Sequence, residues 1–253
     1  MIESGKRLLM VSAALFILAG TVLPQQVTMN VIRRVFLIKY NNHVATSFTI
    51  DVDNRQYLIT ARHVVDGIKD GGEVQLFRDG AWQTLKVKPL YIKPEEVDIV
   101  VLVPPQQLSP SFPLEPSMGN MVLSQDVYFL GFPYGLLMDG KALNDGFPFP
   151  FVKRGICSAL WLAPTKNHNV IFIDGYNNPG FSGGPIVFTD TKTKALKVAG
   201  VVSGYRVQED SVLKQKADTG LVVRNNSGLL VGYDIKSAVD AISQNPVGPQ
   251  IRY

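Results

Sequence analysis

A chain of 253 residues is long enough for one large domain or two lobes with sizeable cores. Its formal charge of +4 comes without a dense Lys/Arg cluster, which argues against nucleic acid as the main partner. The single cysteine, Cys157, excludes an intramolecular disulfide and a multi-cysteine zinc site. It sits in the apolar stretch Gly155–Leu160 and reads as a buried core thiol. The three histidines are scattered, with no two at metal-ligand spacing, so neither a metal nor another cofactor is expected.

Residues 1–26 read as an export segment. Lys6 and Arg7 precede a sixteen-residue, almost wholly apolar run, Leu8–Leu23, which Pro24 ends. No clean Ala-x-Ala site stands near Ala19-Gly20-Thr21. The segment is therefore either a cleaved signal peptide or a retained membrane anchor with residues 8–23 as the tether. Either places the rest of the chain outside the cytoplasm, in the periplasm or the extracellular space.

From Val31 the pattern turns to β. Val31–Tyr40, Val44–Val52, Gln56–Ile59, Val74–Phe77, Thr84–Val87 and Ile99–Val103 are short runs divided by turn residues. A proline-rich stretch, Pro104–Pro116, reads as an irregular linker. A second series follows: Val127–Leu130, Gly155–Trp161, Val170–Asp174, Ile186–Phe188, Leu196–Val202 and Leu229–Asp234. Gly135–Phe151 and Val207–Thr219 read as long surface loops. Apolar residues at 235, 238, 239 and 242 predict a terminal helix over Ile235–Ser243. The expected architecture is all-β: an N-terminal lobe over 27–106, then a C-terminal lobe with a helix over 107–253.

Ser182 stands in Asn178-Pro179-Gly180-Phe181-Ser182-Gly183-Gly184-Pro185, between two strand-like runs. A serine displayed on such a turn suits a nucleophile with backbone N–H groups beside it, and equally suits an ordinary glycine-rich hairpin. His43 and His168 lie in polar turns and read as solvated. His63 follows the apolar strand Tyr57-Leu58-Ile59, where it reads either as a base facing a cleft or as a structural histidine. A histidine base needs a carboxylate partner. Asp98 opens the apolar strand Ile99–Leu102, where an unpartnered carboxylate is costly. Asp66 is the rival orienter, better suited to a turn or cap, and Glu95 and Glu96 read as solvated.

The order His63, Asp98, Ser182, with the linker between the second and third, resembles the trypsin-like (chymotrypsin-fold) serine peptidases. Thr60-Ala61-Arg62-His63, Asp98-Ile99-Val100-Val101-Leu102 and Gly180-Phe181-Ser182-Gly183-Gly184-Pro185 resemble that family's three triad segments. Gly131-Phe132-Pro133-Tyr134-Gly135, Gly155–Leu160 and Asp174–Pro185 further resemble the bacterial HtrA group. The likeness covers about residues 31–243, which leaves no room for a PDZ domain. It implies two antiparallel β-barrel lobes, chymotrypsin-like, and a His63–Asp98–Ser182 triad. It implies an oxyanion hole from the N–H groups of Gly180 and Ser182. Val202-Ser203-Gly204 resembles the strand that pairs with substrate, Ser203 is placed to bond Asp98, and Tyr176 falls near the floor of the specificity pocket. No acidic residue occupies that slot, which points to a small or medium apolar side chain before the cleaved bond.

The implied activity is that of a serine endopeptidase acting on peptides or unfolded proteins through an acyl-enzyme. The oligomeric state is not legible. The rival reading is a peptide-binding pseudoprotease on the same fold. It draws on Phe181, which stands where the family carries Asp or Asn and whose bulk would bend the serine loop and flip an oxyanion N–H. Separately, Phe181 cannot pair with a freshly cut N-terminus, as the zymogen-activated members require. An α/β-hydrolase esterase fails, because no histidine follows Ser182.

Overall fold

The computed structural model describes residues 26–162 and 168–252. The expected export segment, apart from Gln26, lies outside the described residues. Among those described, no helix is long and apolar enough to cross a membrane.

A short helix, α1 (Met29–Ile32), leads into six strands. These are β1 (Val35–Tyr40), β2 (His43–Val52), β3 (Arg55–Thr60), β4 (Gly72–Arg78), β5 (Ala81–Tyr91) and β6 (Val100–Val103). They close a barrel in the order β1-β2-β3-β6-β5-β4. Two of its hairpins use two-residue loops, Asp53-Asn54 and Asp79-Gly80, with positive φ at both residues. Asp, Asn and Gly tolerate that conformation, and its twist matches the flanking strands. The sequence pattern starts the first strand at Val31. The chain instead makes a helical turn there, with Val31 N–H donating to Thr28 O, and drops the Val31 side chain into the core.

The second barrel is built from β8 (Asp126–Gly131), β9 (Phe151–Leu162), β10 (Asn169–Asp174), β11 (Pro185–Thr189), β12 (Leu196–Lys214) and β13 (Ala217–Asp234). Its order is β11-β8-β9-β10-β13-β12, closed by the β11–β12 pairing, with β7 (Glu115–Pro116) added in parallel beside β12. The expected surface loop Val207–Thr219 is not a loop. It belongs to a two-stranded ribbon that carries β12 and β13 past the barrel. The large apolar residues of Val207–Thr219, which are Val207, Val212 and Leu213, fall among mostly polar ones with no period of two, so no alternation marks it as strand. The turn at Gln215 and Lys216 takes positive φ without the usual Gly or Asn.

Three apolar clusters organise the core. One fills the first barrel, around Phe36, Leu58, Val74, Val100 and Leu102. A second fills the other barrel, around Phe129, Cys157, Ile173, Phe181 and Leu230. The third is the seam between them, where Phe48, Ile59 and Val101 meet Phe132, Val187 and Val201. The terminal helix α2 (Lys236–Gln244) closes this seam with Ile235, Ala238 and Ile242. Cys157 is fully buried, and desolvation raises its thiol pKa.

The proline-rich stretch is irregular up to β7, and polar side chains of the first barrel pin it. Buried Arg34 donates to both oxygens of Asp51, at 3.1 and 2.6 Å, and to the Phe112 carbonyl at 2.6 Å. Gln56 Oε1 accepts from the N–H groups of Leu108 and Ser109 at 2.7 and 3.0 Å. The excursion after β8 also returns to the first barrel. Phe147 meets Phe36 edge-on at 4.7 Å, and Asp79 N–H donates to Gly146 O at 2.7 Å.

Ile242 is fully buried in the seam. Ile242→Ala is expected to destabilise the fold by about 2–5 kcal/mol, read as a lowered urea midpoint at unchanged m-value.

Candidate active site

β3 ends at Thr60, and a 3-10 turn, Arg62–Val65, follows it. Val64 and Val65 of that turn are buried, which leaves His63 on its outer side, 53% exposed. Asp98 lies between two fully buried residues, Val97 and Ile99. Their anchoring turns the intervening carboxylate back toward the turn. Asp98 Oδ2 accepts from His63 Nδ1 at 2.7 Å and from Ser203 Oγ at 2.6 Å. Asp98 Oδ1 accepts from the His63 backbone N–H at 2.9 Å. The carboxylate thus fixes both the ring and the backbone of the histidine. The hydrogen bond to Asp98 raises the His63 pKa above its ordinary value; desolvation opposes the shift, and the charge of Asp98 adds to it. Asp66 ends the 3-10 turn, and the ring bond goes to Asp98.

Ser182 comes from the other barrel, just before β11. Its hydroxyl donates to the Ser203 carbonyl at 3.1 Å. Ser203 therefore touches both halves of the site, through its side chain to Asp98 and through its carbonyl to Ser182.

The loop around Ser182 is held by a residue that sequence reasoning missed. Thr46, fully buried on β2, donates its hydroxyl to Gly180 O at 2.6 Å and its N–H to Ser182 O at 3.0 Å. The same hydroxyl accepts from Phe132 N–H at 3.1 Å. Nothing in a lone threonine within a β-rich run signals this role. Two glycines make the close approach feasible. A Cβ on Gly183, at φ +84°, would lie 2.2 Å from Thr46 O, and one on Gly180, at φ +101°, would lie 2.2 Å from Phe132 O.

The orientation of the Pro179–Gly180 peptide follows from one bond. Pro179 O accepts from Tyr134 N–H at 2.7 Å. A trans peptide points its N–H opposite to its carbonyl, so the Gly180 N–H faces away from Tyr134. Among the described residues, neither the Gly180 nor the Ser182 N–H donates to a protein acceptor. Phe181 does not bend this loop outward. Its side chain is fully buried, 5.3 Å edge-on from Phe129, with Lys153 Nζ 5.6 Å from its ring centroid. Lys153 also donates to Asn178 Oδ1 at 2.8 Å and to Tyr176 O, and burial lowers its pKa.

Other sequence-predicted positions fall as follows. Ser203 and Gly204 lie on β12 beside the serine, and a Cβ at Gly204 would meet nothing within 4 Å. Val202 cannot pair with a substrate backbone. Its carbonyl accepts from Gly183 N–H at 2.7 Å and its N–H donates to Gly184 O at 2.8 Å, so it holds the serine loop instead. Tyr176 is 56% exposed, an opening position rather than a buried floor. His43 begins β2 and is exposed. His168, expected in solvent, is 9% exposed and packs 6.0 Å from the Tyr233 ring, because it leads directly into β10 beside β13. Among the described residues, no cluster of three His, Cys, Asp or Glu side chains could hold a metal ion.

Thr46→Val keeps the shape but leaves Gly180 O and Phe132 N–H without their partner. At about 1–3 kcal/mol for each orphaned buried group, the expected loss is about 2–6 kcal/mol, read by urea unfolding. An unchanged midpoint would show that the clamp contributes nothing.

A trypsin-like peptidase domain profile matches residues 45–195. No curated protein sequence matches the chain. Among solved structures, the protease Rv3671c of M. tuberculosis H37Rv, in an inactive mutant form, is similar at TM-score 0.54 and 18% identity, over 87% of this chain and 92% of that one. The Rv3671c protease in its inactive form gives the same TM-score and identity, over 85% and 90%. An HtrA-type protease, AlgW, crystallised with a tripeptide, is similar at TM-score 0.55 and 17% identity, over 87% of this chain and 62% of that one. These likenesses show the shared fold. With its two barrels and a profile match over more than half of its length, the chain belongs to the trypsin-like peptidase family, whose members are serine-type peptidases.

Proposed function

We propose that the protein is a serine endopeptidase using a His63–Asp98–Ser182 triad and an acyl-enzyme intermediate. The observation that carries this reading is the Asp98 carboxylate, which receives the His63 ring, the His63 backbone and Ser203 together. In the proposed reaction the Ser182 hydroxyl turns from Ser203 O to the second ring nitrogen of His63 and gives up its proton as it attacks a peptide carbonyl. The oxyanion takes the free N–H groups of Gly180 and Ser182. His63 then protonates the leaving amine, and water hydrolyses the ester by the reverse steps. Substrates are peptides or unfolded polypeptides; the expected export through residues 1–26 would place them outside the cytoplasm.

The competing reading is peptide binding without hydrolysis. It draws on the resting bond from Ser182 to Ser203 O. A fluorophosphonate probe separates the two, since it reacts only with an activated serine. The expected outcome is labelling of the wild-type chain, none of Ser182→Ala, and loss of casein hydrolysis in that variant with its fold intact. Casein hydrolysis by Ser182→Ala at the wild-type rate would remove the nucleophile assignment.

The base must be neutral to accept the serine proton, so activity falls as pH drops through the His63 pKa. Asp98 raises that pKa, so the acid limb of kcat/KM should lie above 6.5, the ordinary histidine value. Asp98→Asn should move the limb to lower pH and cut kcat at pH 8 by on the order of 10⁴. A limb that stays in place in the variant would remove Asp98 from this role.

A further inference from the structure

β12 continues where the barrel ends. β11 pairs with it only as far as Val201, and from Gly204 to Lys214 its one strand partner among the described residues is β13. Its other edge is open. That edge begins at the nucleophile, where Ser203 O accepts from Ser182 Oγ. From Tyr205 to Lys214 it then runs outward for about 30 Å at ~3.3 Å per residue. The opposite margin of the ribbon is tied down at its base, where Gly175 N–H donates to Gly228 O at 2.9 Å and Asn226 Nδ2 donates to Asn177 O.

A two-stranded ribbon is marginal in water by itself, and an open edge is a template for another strand. The polar side chains here are paired within the ribbon. Arg224 meets Glu209 at 2.9 Å, and Asp210 accepts from Gln208 and Asn225, each at 2.9 Å. Meanwhile Val207, Leu213, Leu221, Val222 and Val223 are 47–65% exposed. Between irregularities at Tyr205/Val207 and Ser211/Leu213, the register is unbroken from Val207 to Ser211. What this stretch offers a partner is a row of backbone donors and acceptors flanked by aliphatic side chains.

We propose that the open edge of β12 over Val207–Ser211 binds the substrate polypeptide as an added antiparallel strand. This rests on the proposed peptidase reading of Ser182. An antiparallel strand with its cleaved bond at Ser182 runs toward Ser203, so its earlier residues lie further out along β12. Counted one for one from Ser203, Val207 to Ser211 meet the fifth to ninth residues before the cleaved bond. The occupant is an extended, unstructured segment. Main-chain pairing gives it affinity with little dependence on sequence.

The test measures binding to the full chain carrying Ser182→Ala, by fluorescence anisotropy. The probes are two labelled peptides identical around the scissile position, with four or nine residues before it. The longer peptide should bind tighter by on the order of tenfold. Replacing Gln208–Asn225 by Asn-Gly joins the paired residues Val207 and Asn226 by a two-residue turn. That variant, also carrying Ser182→Ala, should bind both peptides as the chain with its ribbon intact binds the short one. Backbone N-methylation at the fifth and seventh residues should abolish the gain without altering the protein. Equal affinity for both lengths, or a gain that survives ribbon removal or N-methylation, overturns the proposal. A length-dependent affinity in a chain whose wild type hydrolyses nothing would sustain it while removing the peptidase reading.

Discussion

The site depends on the grip of Thr46 on the serine loop. Ser182 belongs to one barrel, and His63 and Asp98 belong to the other. Their relation is therefore a property of how the barrels dock. The apolar seam supplies most of the contact, with Phe48 and Ile59 against Phe132 and Val201. Apolar contact alone does not fix the backbone of the serine loop against the other barrel. Thr46 does, by reaching across from β2 to take the carbonyl of Gly180 and donate its N–H to that of Ser182. The fit is close enough that no side chain fits on Gly183 or Gly180, so the glycine pattern around the serine answers to Thr46 and Phe132 as much as to any ligand.

Phe181 is held by packing. Where the family's resemblance places an acidic or amide side chain, this chain buries a phenyl ring against Phe129, with the Lys153 ammonium nearby. Desolvation lowers the Lys153 pKa, and its hydrogen bonds run to the Tyr176–Asn178 segment that leads into the loop. The Tyr134 N–H then sets the orientation of the Pro179–Gly180 peptide. Apolar burial, the Thr46 and Val202 bonds and the Tyr134 N–H together hold the loop in a shape in which, among the described residues, neither the Gly180 nor the Ser182 N–H meets a protein acceptor.

Much of this was legible in the residues. His63, Asp98 and Ser182 stand in segments whose chemistry restricts what can occupy them, and the two-lobe division followed from strand runs on either side of a proline-rich stretch. The strand ends were less legible. Val207–Thr219 looked like a loop because its mostly polar residues show no alternation, while aliphatic residues that pair with it, such as Val222 and Val223, lie on the partner strand. Val202 looked available to a ligand because Val202-Ser203-Gly204 resembles the family's substrate-pairing strand, and a resemblance of residues does not record which backbone groups are already paired. His168 looked solvated because its neighbours in sequence are polar, while its neighbour in space is Tyr233.

The sequence by itself carried the resemblance to the family, the all-β architecture and the three side chains proposed for the triad. Those depend on local residue types and their order, which survive without coordinates. Tertiary structure alone decided that Thr46 clamps the loop, that Val202 is committed to it, that neither the Gly180 nor the Ser182 N–H meets a protein acceptor among the described residues, and that β12 carries away from the nucleophile an edge that no described strand covers. Each depends on backbone groups from segments far apart in the chain. Which amide meets which carbonyl is set by the docking of two barrels, and no run of side chains records it.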